Sequence, residues 1–179
     1  VYGIGADAFS SEAVADLLEA KGRGRNMPTP VLIGSPNTLH GLVTDFSEMA
    51  WELVDAFWPG ALTIVAKHQP SLQWDLGDTR GTVAVRMPLH PVAIELLTEV
   101  GPMAVSSANL TGHPAPENCD AAQEMLGDSV SVYLDGGPTP GNVPSSIVDV
   151  TGSVPVLLRE GALSPDELRK VVPDLEVAN

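Results

Sequence analysis

The sequence predicts an α/β domain on a mixed sheet. Short apolar runs of strand character alternate with stretches of helical period through most of the chain. Near the end several strands follow one another without a long helix between them, which a purely doubly wound sheet does not do. The chain has 179 residues, 44 % of them apolar and 18 % charged, which is one domain's worth of ordinary globular chain. Such a chain buries roughly 70 % of its unfolded surface. The expected sheet is twisted and open, with helices on its faces.

The opening, VYGIGADAF, reads as the end of a strand. A helix follows, capped by Ser10 or Ser11, with Glu12 in its first turn, an apolar stripe of Val14, Leu17 and Leu18, and a stop at Gly22. Residues 30–34 form a short buried strand, 47–57 a helix ending at WPG, 61–67 a strand, and 69–80 a polar loop. TVAVRMP (82–88) alternates as a strand and stops at Pro88, and 91–101 is a helix terminated by Gly101. MAVSS (103–107) is a strand running into a polar loop, and 119–127 is a helix. Residues 130–135, 145–150 and 155–160 are strands, and 164–172 is a helix with Ser164 as cap and Pro165 at its first position.

Composition excludes several classes. A formal net charge of −14 opposes a sequence-independent grip on nucleic acid. No apolar run approaches the ~20 residues needed to span a bilayer, and nothing repeats at a fixed period. The single cysteine, Cys119, permits no internal disulfide and fits a reducing, cytoplasmic setting. The four histidines lack paired metal spacing, so no metal site is expected; only His113, beside a Ser/Asn loop, is kept as a candidate. There is no Walker A, no G-x-G-x-x-G and no G-x-S-x-G.

The positive charge is concentrated. KGRGR places Lys21, Arg23 and Arg25 within five residues of a chain with nine Lys and Arg in all. These three are expected to be exposed after a helix stop, as a clamp for an anion. Arg86 sits inside an apolar strand and Arg159 ends another, and an arginine so placed needs an anionic partner. A structural carboxylate would serve each singly; a shared phosphate or carboxylate site suits the set better. VSSANLTG (105–112) follows a strand with Ser106, Ser107, Asn109 and Thr111. Such residues bind phosphate or ribose oxygens, but they also make ordinary turns. GNVPSSIVD repeats that theme around Ser145 and Ser146.

These segments together resemble the YrdC-like threonylcarbamoyl-AMP synthases. Lys21-Gly22-Arg23 is similar to the family's K-x-R motif and Ser107-Ala108-Asn109 to its S-x-N motif. FWPGALTIV, TVAVRMP, VPSSIVDV and LLREGALS stand in the expected order. The resemblance covers nearly the whole chain as a single domain, 1–179, and implies a twisted open sheet around a large concave, positive cavity. It implies a nucleotidyltransferase that condenses L-threonine, bicarbonate and ATP, with Mg2+ accompanying the ATP and no protein metal ligand assigned. The product would pass to a separate tRNA-modifying transferase. By the same resemblance Lys21 and Arg23 are catalytic and face the ATP phosphates. Thr82, Ser107, Asn109 and Arg159, with Arg23, bind ATP, and Tyr2, Arg86 and Ser145 bind threonine.

The chain departs from the pattern. The family's opening motif P-T-[DE]-T-V-Y-G is entered at its Val, so the preceding strand and the start of that motif are expected to be missing. Gly24 stands where a proline often follows K-G-R, and a histidine common beyond K-x-R has no counterpart. Two other functions compete: an RNA-binding module, for which nine cations are few, and an adenylating domain using carbamoyl phosphate, which usually belongs to longer, cysteine-rich chains.

Overall fold

The computed structural model describes residues 1–178. Its elements are β1 (Gly3–Asp7), α1 (Ser11–Ala20), β2 (Val31–Leu32), α2 (Leu39–Leu42), β3 (Val43–Thr44), α3 (Glu48–Phe57), β4 (Leu62–His68), β5 (Thr82–Arg86), α4 (Pro91–Val100), β6 (Met103–Ser107), α5 (Cys119–Leu126), β7 (Ser146–Asp149), β8 (Val156–Arg159), α6 (Pro165–Arg169) and β9 (Glu176–Val177). Four helices start where a side chain supplies the acceptor that the first turn lacks. Ser10 accepts from the Ala13 N–H, Ser47 from Ala50, Asn118 from Ala121, and Ser164 from Glu167, whose carboxylate returns the bond in a capping box.

The strands join in the order β1-β6-β2-β5-β4-β7-β8-β9, with β3 added to β4. The pairs β2–β5, β4–β7 and β8–β9 are parallel and the others antiparallel, so the sheet is mixed. Register sorts its side chains into rows. Ala6, Ala104, Val31, Val85, Ile64, Val148 and Leu157 lie opposite one another across seven strands. From Ala104 to Leu157 this row is buried, within a cluster that also takes Val14 of α1, Leu53 and Val54 of α3, Leu168 of α6 and the flank of Ile94 of α4. Ala122 and Leu126 of α5 pack with Ile4 and Leu17 in a smaller cluster. The apolar stripes of the helices therefore meet one face of the sheet, not both. Because side chains alternate along a strand, the next row points the other way.

Three expectations are corrected. Residues 130–135 form no strand: Val130 and Tyr133 pack against the smaller cluster while Val132 and Leu134 are exposed. Their alternation is real, but no neighbouring strand offers a ladder. The strand at 30–34 contracts to two residues, and the last helix ends at Arg169 with turns behind it. The short elements α2, β3 and β9 carry too few residues for a period to show.

Candidate active site

The row facing away from the core runs Asp7, Met103, Leu32, Arg86 across β1, β6, β2 and β5. It resumes as Thr63, Ile147, Arg159 across β4, β7 and β8. The β4–β5 ladder, continued one step beyond Ile64 opposite Val85, sets Thr63 opposite Arg86. Two arginines thus stand in one row with Thr63 and Ile147 between them. Arg86 donates from Nε to the Gly60 carbonyl at 2.8 Å and makes no other hydrogen bond among the described residues. Among the described residues neither arginine forms an ion pair; those that form use Arg25, Lys67 and Arg169. Burial first, and the charge of Arg159 second, hold the Arg86 pKa below its usual value, and burial does the same to Arg159. Without an anion the two cations, a partly buried Arg86 and a more exposed Arg159, repel each other. An oxyanion bound between them removes that cost, and the free Nη groups of Arg86 match a carboxylate or phosphate bidentately.

Arg159 is tied to Ser145. Its Nη2 donates to the Ser145 carbonyl at 2.7 Å and to Ser145 Oγ at 3.2 Å, and its Nε to the same carbonyl at 3.1 Å. Ser145 Oγ also lies 2.8 Å from Thr63 Oγ1. Ser146 takes a different part: its hydroxyl donates to the Leu163 carbonyl and accepts from the Gly161 and Leu163 N–H groups, which folds 161–163 against β7.

KGRGR is divided among three tasks. The Arg23 N–H bonds to the Leu18 carbonyl and the Gly22 N–H to that of Glu19, with Gly22 at φ +60°, a Schellman closure that favours glycine there. This turn sends Lys21 inward. Lys21 is 2 % exposed, not at the surface as expected, because the helix end packs under the loop after β6. Its amine donates to the Ser107 carbonyl and, at 2.6 Å, to the Asn109 carbonyl, while its own carbonyl accepts from the Thr111 N–H at 2.9 Å. Burial and the Arg23 charge lower its pKa to about 8. Arg25 turns outward to Asp75, bidentate at 2.7 and 3.0 Å, and approaches Asp78 at 3.6 Å. Arg23, like Lys21, has no carboxylate partner among the described residues; it is held by the Met27 and Pro28 carbonyls and Ser106 Oγ.

Arg25 is thus a loop tie, and an exposed pair of this kind is worth about 1 kcal/mol or less. On the ATP use that the family resemblance implies, Arg25→Ala is expected to leave the KM for ATP within about twofold of wild type and to lower the melting temperature slightly. A tenfold rise in that KM would restore Arg25 to a clamp.

Ser107 and Thr82 stand at the strand ends away from Arg86, where Ser107 faces Gly3 and Thr82 faces Lys67, whereas the Tyr2 hydroxyl and His90, just past β5, both border Gly136. The Asn109 amide nitrogen donates to the Leu110 and His113 carbonyls, both at 2.9 Å, and the side-chain oxygen is buried without a partner. Both amide protons being spent, this residue has an acceptor to offer and suits a hydroxyl or amine, not a phosphate oxygen. His113 enters only through its backbone. The Tyr2 hydroxyl donates to the Gly137 carbonyl at 2.7 Å and accepts from the Gly136 N–H at 3.0 Å, fastening that loop. Thr82 donates to the Thr79 carbonyl at 2.8 Å and joins Lys67, His68 and Arg80 in lining a shallow cavity of about 560 Å³. That cavity touches neither Arg86 nor Arg159.

Arg159, grouped with the nucleotide by resemblance, is bonded to Ser145, grouped with threonine. Sequence reading missed Thr63 and the Gly60 carbonyl. The alternation in ALTIVAK was a signal for Thr63, since it puts Thr63 out of phase with the core residues Leu62 and Ile64.

The Sua5/YciO/YrdC family model, described as "Telomere recombination", matches residues 1–161. A Mycobacterium tuberculosis H37Rv protein, provisionally named a threonylcarbamoyl-AMP synthase, is 60 % identical over 172 residues, covering 96 % of this chain and 79 % of that protein. The threonylcarbamoyl-AMP synthase of Bacillus subtilis is 37 % identical over 179 residues, 99 % of this chain and 52 % of the relative. The structure of Pyrococcus abyssi Sua5 complexed with L-threonine superposes with a TM-score of 0.94 at 36 % identity, covering 99 % of this chain and 53 % of that one. This chain thus spans about half the length of the latter two. Escherichia coli YciO, at 22 % identity and a TM-score of 0.83, shares the fold. With a family match over most of its length and these relatives, the chain belongs to the Sua5/YciO/YrdC family.

Proposed function

We propose that this chain condenses L-threonine, bicarbonate and ATP to threonylcarbamoyl-AMP and pyrophosphate, the first step of tRNA threonylcarbamoyladenosine modification. The observation that carries the reading is the row in which a partly buried Arg86 and a more exposed Arg159 stand without a carboxylate partner among the described residues, in a chain 60 % identical to a protein bearing that name. Arg86 takes the α-carboxylate of threonine on its free Nη groups, and Ser145 adds a neutral hydrogen bond. The threonine amine attacks the bicarbonate carbon and water leaves, giving a carbamate. A carbamate oxygen then attacks the α-phosphorus of ATP, and the bond to the bridging oxygen of pyrophosphate breaks.

The transition state spreads charge over phosphate oxygens, so positioning and fixed positive charge supply the rate. Arg23 and Arg159 supply that charge, while Ser107, Asn109 and Thr82 hold the nucleoside end. Guanidinium groups suit oxyanions and repel a divalent cation, so the Mg2+ that ATP requires arrives on its phosphates. Water decomposes a carbamate, and the loop fastened by Tyr2 is placed to shield it. The product passes to a tRNA-modifying transferase in the cytoplasm, and with a net charge of −14 this chain binds RNA weakly itself.

The test is pyrophosphate release from ATP by the purified protein. Release is expected only with threonine and bicarbonate together. Release without threonine, or with carbamoyl phosphate replacing bicarbonate, overturns the reading.

A further inference from the structure

Thr63, which neither the motifs nor the family resemblance assigns, lies in the row between Arg86 and Arg159 and is 5 % exposed. Its partner Ser145 is 7 % exposed. The protons of this pair can be counted. A guanidinium only donates, so the 3.2 Å contact from Arg159 Nη2 occupies a lone pair of Ser145 Oγ. The 2.8 Å contact between the hydroxyls uses one of their two protons, whichever residue donates. Among the described residues neither hydroxyl has a further acceptor. One hydroxyl proton is therefore left uncommitted, in a buried place beside two guanidinium groups.

We propose that Thr63 is a positioning residue for the carboxylate-class anion held in this row. It fixes the direction of the Ser145 hydroxyl, so that the spare proton of the pair is donated to an oxygen of that anion. The inference rests on the proposed function, with the α-carboxylate of threonine as the anion. Two positive groups attract any anion that fits between them. A directed hydroxyl proton adds a third, geometrically fixed contact and so selects a carboxylate lying along the row. An apolar side chain in place of Thr63 would preserve the packing of β4 and leave that direction unset.

The test is steady-state kinetics of pyrophosphate release, with each substrate varied in turn. Thr63→Val keeps the shape and removes the hydroxyl. It is expected to raise the KM for threonine about tenfold, the size of one lost hydrogen bond to a charged group. The KM for ATP should stay within about twofold and the melting temperature near wild type. Thr63→Ser should recover most of the loss. Because both hydroxyls act through one proton, Thr63→Val combined with Ser145→Ala should be no worse than the more damaging single variant. Unchanged threonine KM in Thr63→Val, a parallel rise in both KM values without rescue by serine, or additive losses in the double variant would each overturn the inference. Should Thr63→Val fail to fold, Thr63→Ala carries the same comparison. Wild-type protein that releases no pyrophosphate with threonine and bicarbonate refutes the proposed function; active wild type with indifferent Thr63 variants refutes this inference alone.

Discussion

Arg86→Met is expected to raise the KM for threonine between about 10- and 100-fold while changing the KM for ATP less than about threefold. Arg86 stands at the end of β5 with one hydrogen bond, to the Gly60 carbonyl, so its terminal nitrogens are free for a ligand. A charge-assisted bidentate pair to a carboxylate is worth about 1.5–3 kcal/mol, which sets that range. Methionine keeps the apolar stem against the strand and removes the charge. The sign of the stability change is informative. Arg86 is penalised by burial and by Arg159, so the variant should melt no lower than wild type in the absence of substrate. With saturating threonine only wild type should gain stability, as linkage requires of a ligand that binds the native state. A large loss of stability with unaltered threonine dependence would make Arg86 a structural residue.

Lys21→Ala has a different expected result: loss of ATP use together with loss of stability. The amine holds two backbone carbonyls in the turn that carries Ser107 and Asn109, and the residue is buried. Removing it takes a donor from both carbonyls, the Ser107 carbonyl keeping the Asn109 N–H, and opens a void. Relief of the buried charge offsets part of this, leaving about 2–4 kcal/mol of destabilisation. For a chain of this size the melting temperature should fall by about 5–15 °C. A variant that melts like wild type yet cannot use ATP would place the amine on the phosphates. The pH dependence offers a second check. The folded pKa of about 8 lies below the ordinary lysine value of 10.5. Between these values the unfolded chain binds a proton that the folded one has released, so this group's contribution to stability rises with pH across that window and is constant below it. The stability difference between wild type and Lys21→Met should therefore move in favour of wild type from about pH 8 to 10.5.

The elements long enough to show a period were legible in the sequence. α1, α3 and α4 follow from their apolar stripes and caps or stops, and β4, β5 and β6 from apolar runs bounded by Gly, Pro and Ser. The motifs around Lys21, Arg23, Ser107 and Asn109 marked two loops that the structure brings together, since the Lys21 amine bonds the Ser107 and Asn109 carbonyls. Local pattern also showed that Arg86 shares a strand with core valines and must face away from them.

The partner of each charge was not legible. Lys21, Arg23 and Arg25 look alike in a row of five residues, yet one is buried under carbonyls, one is left unpaired and one is neutralised by Asp75, 50 residues away. Nothing within reach of a local period distinguishes them, because burial and ion pairing depend on what other strands bring close. The alignment of Arg86, Thr63 and Arg159 is likewise a matter of register between β5, β4, β7 and β8, segments that lie far apart in the chain. Side-chain alternation sets the face along one strand, but only hydrogen bonding between strands sets which residues share a row, and the site is a row.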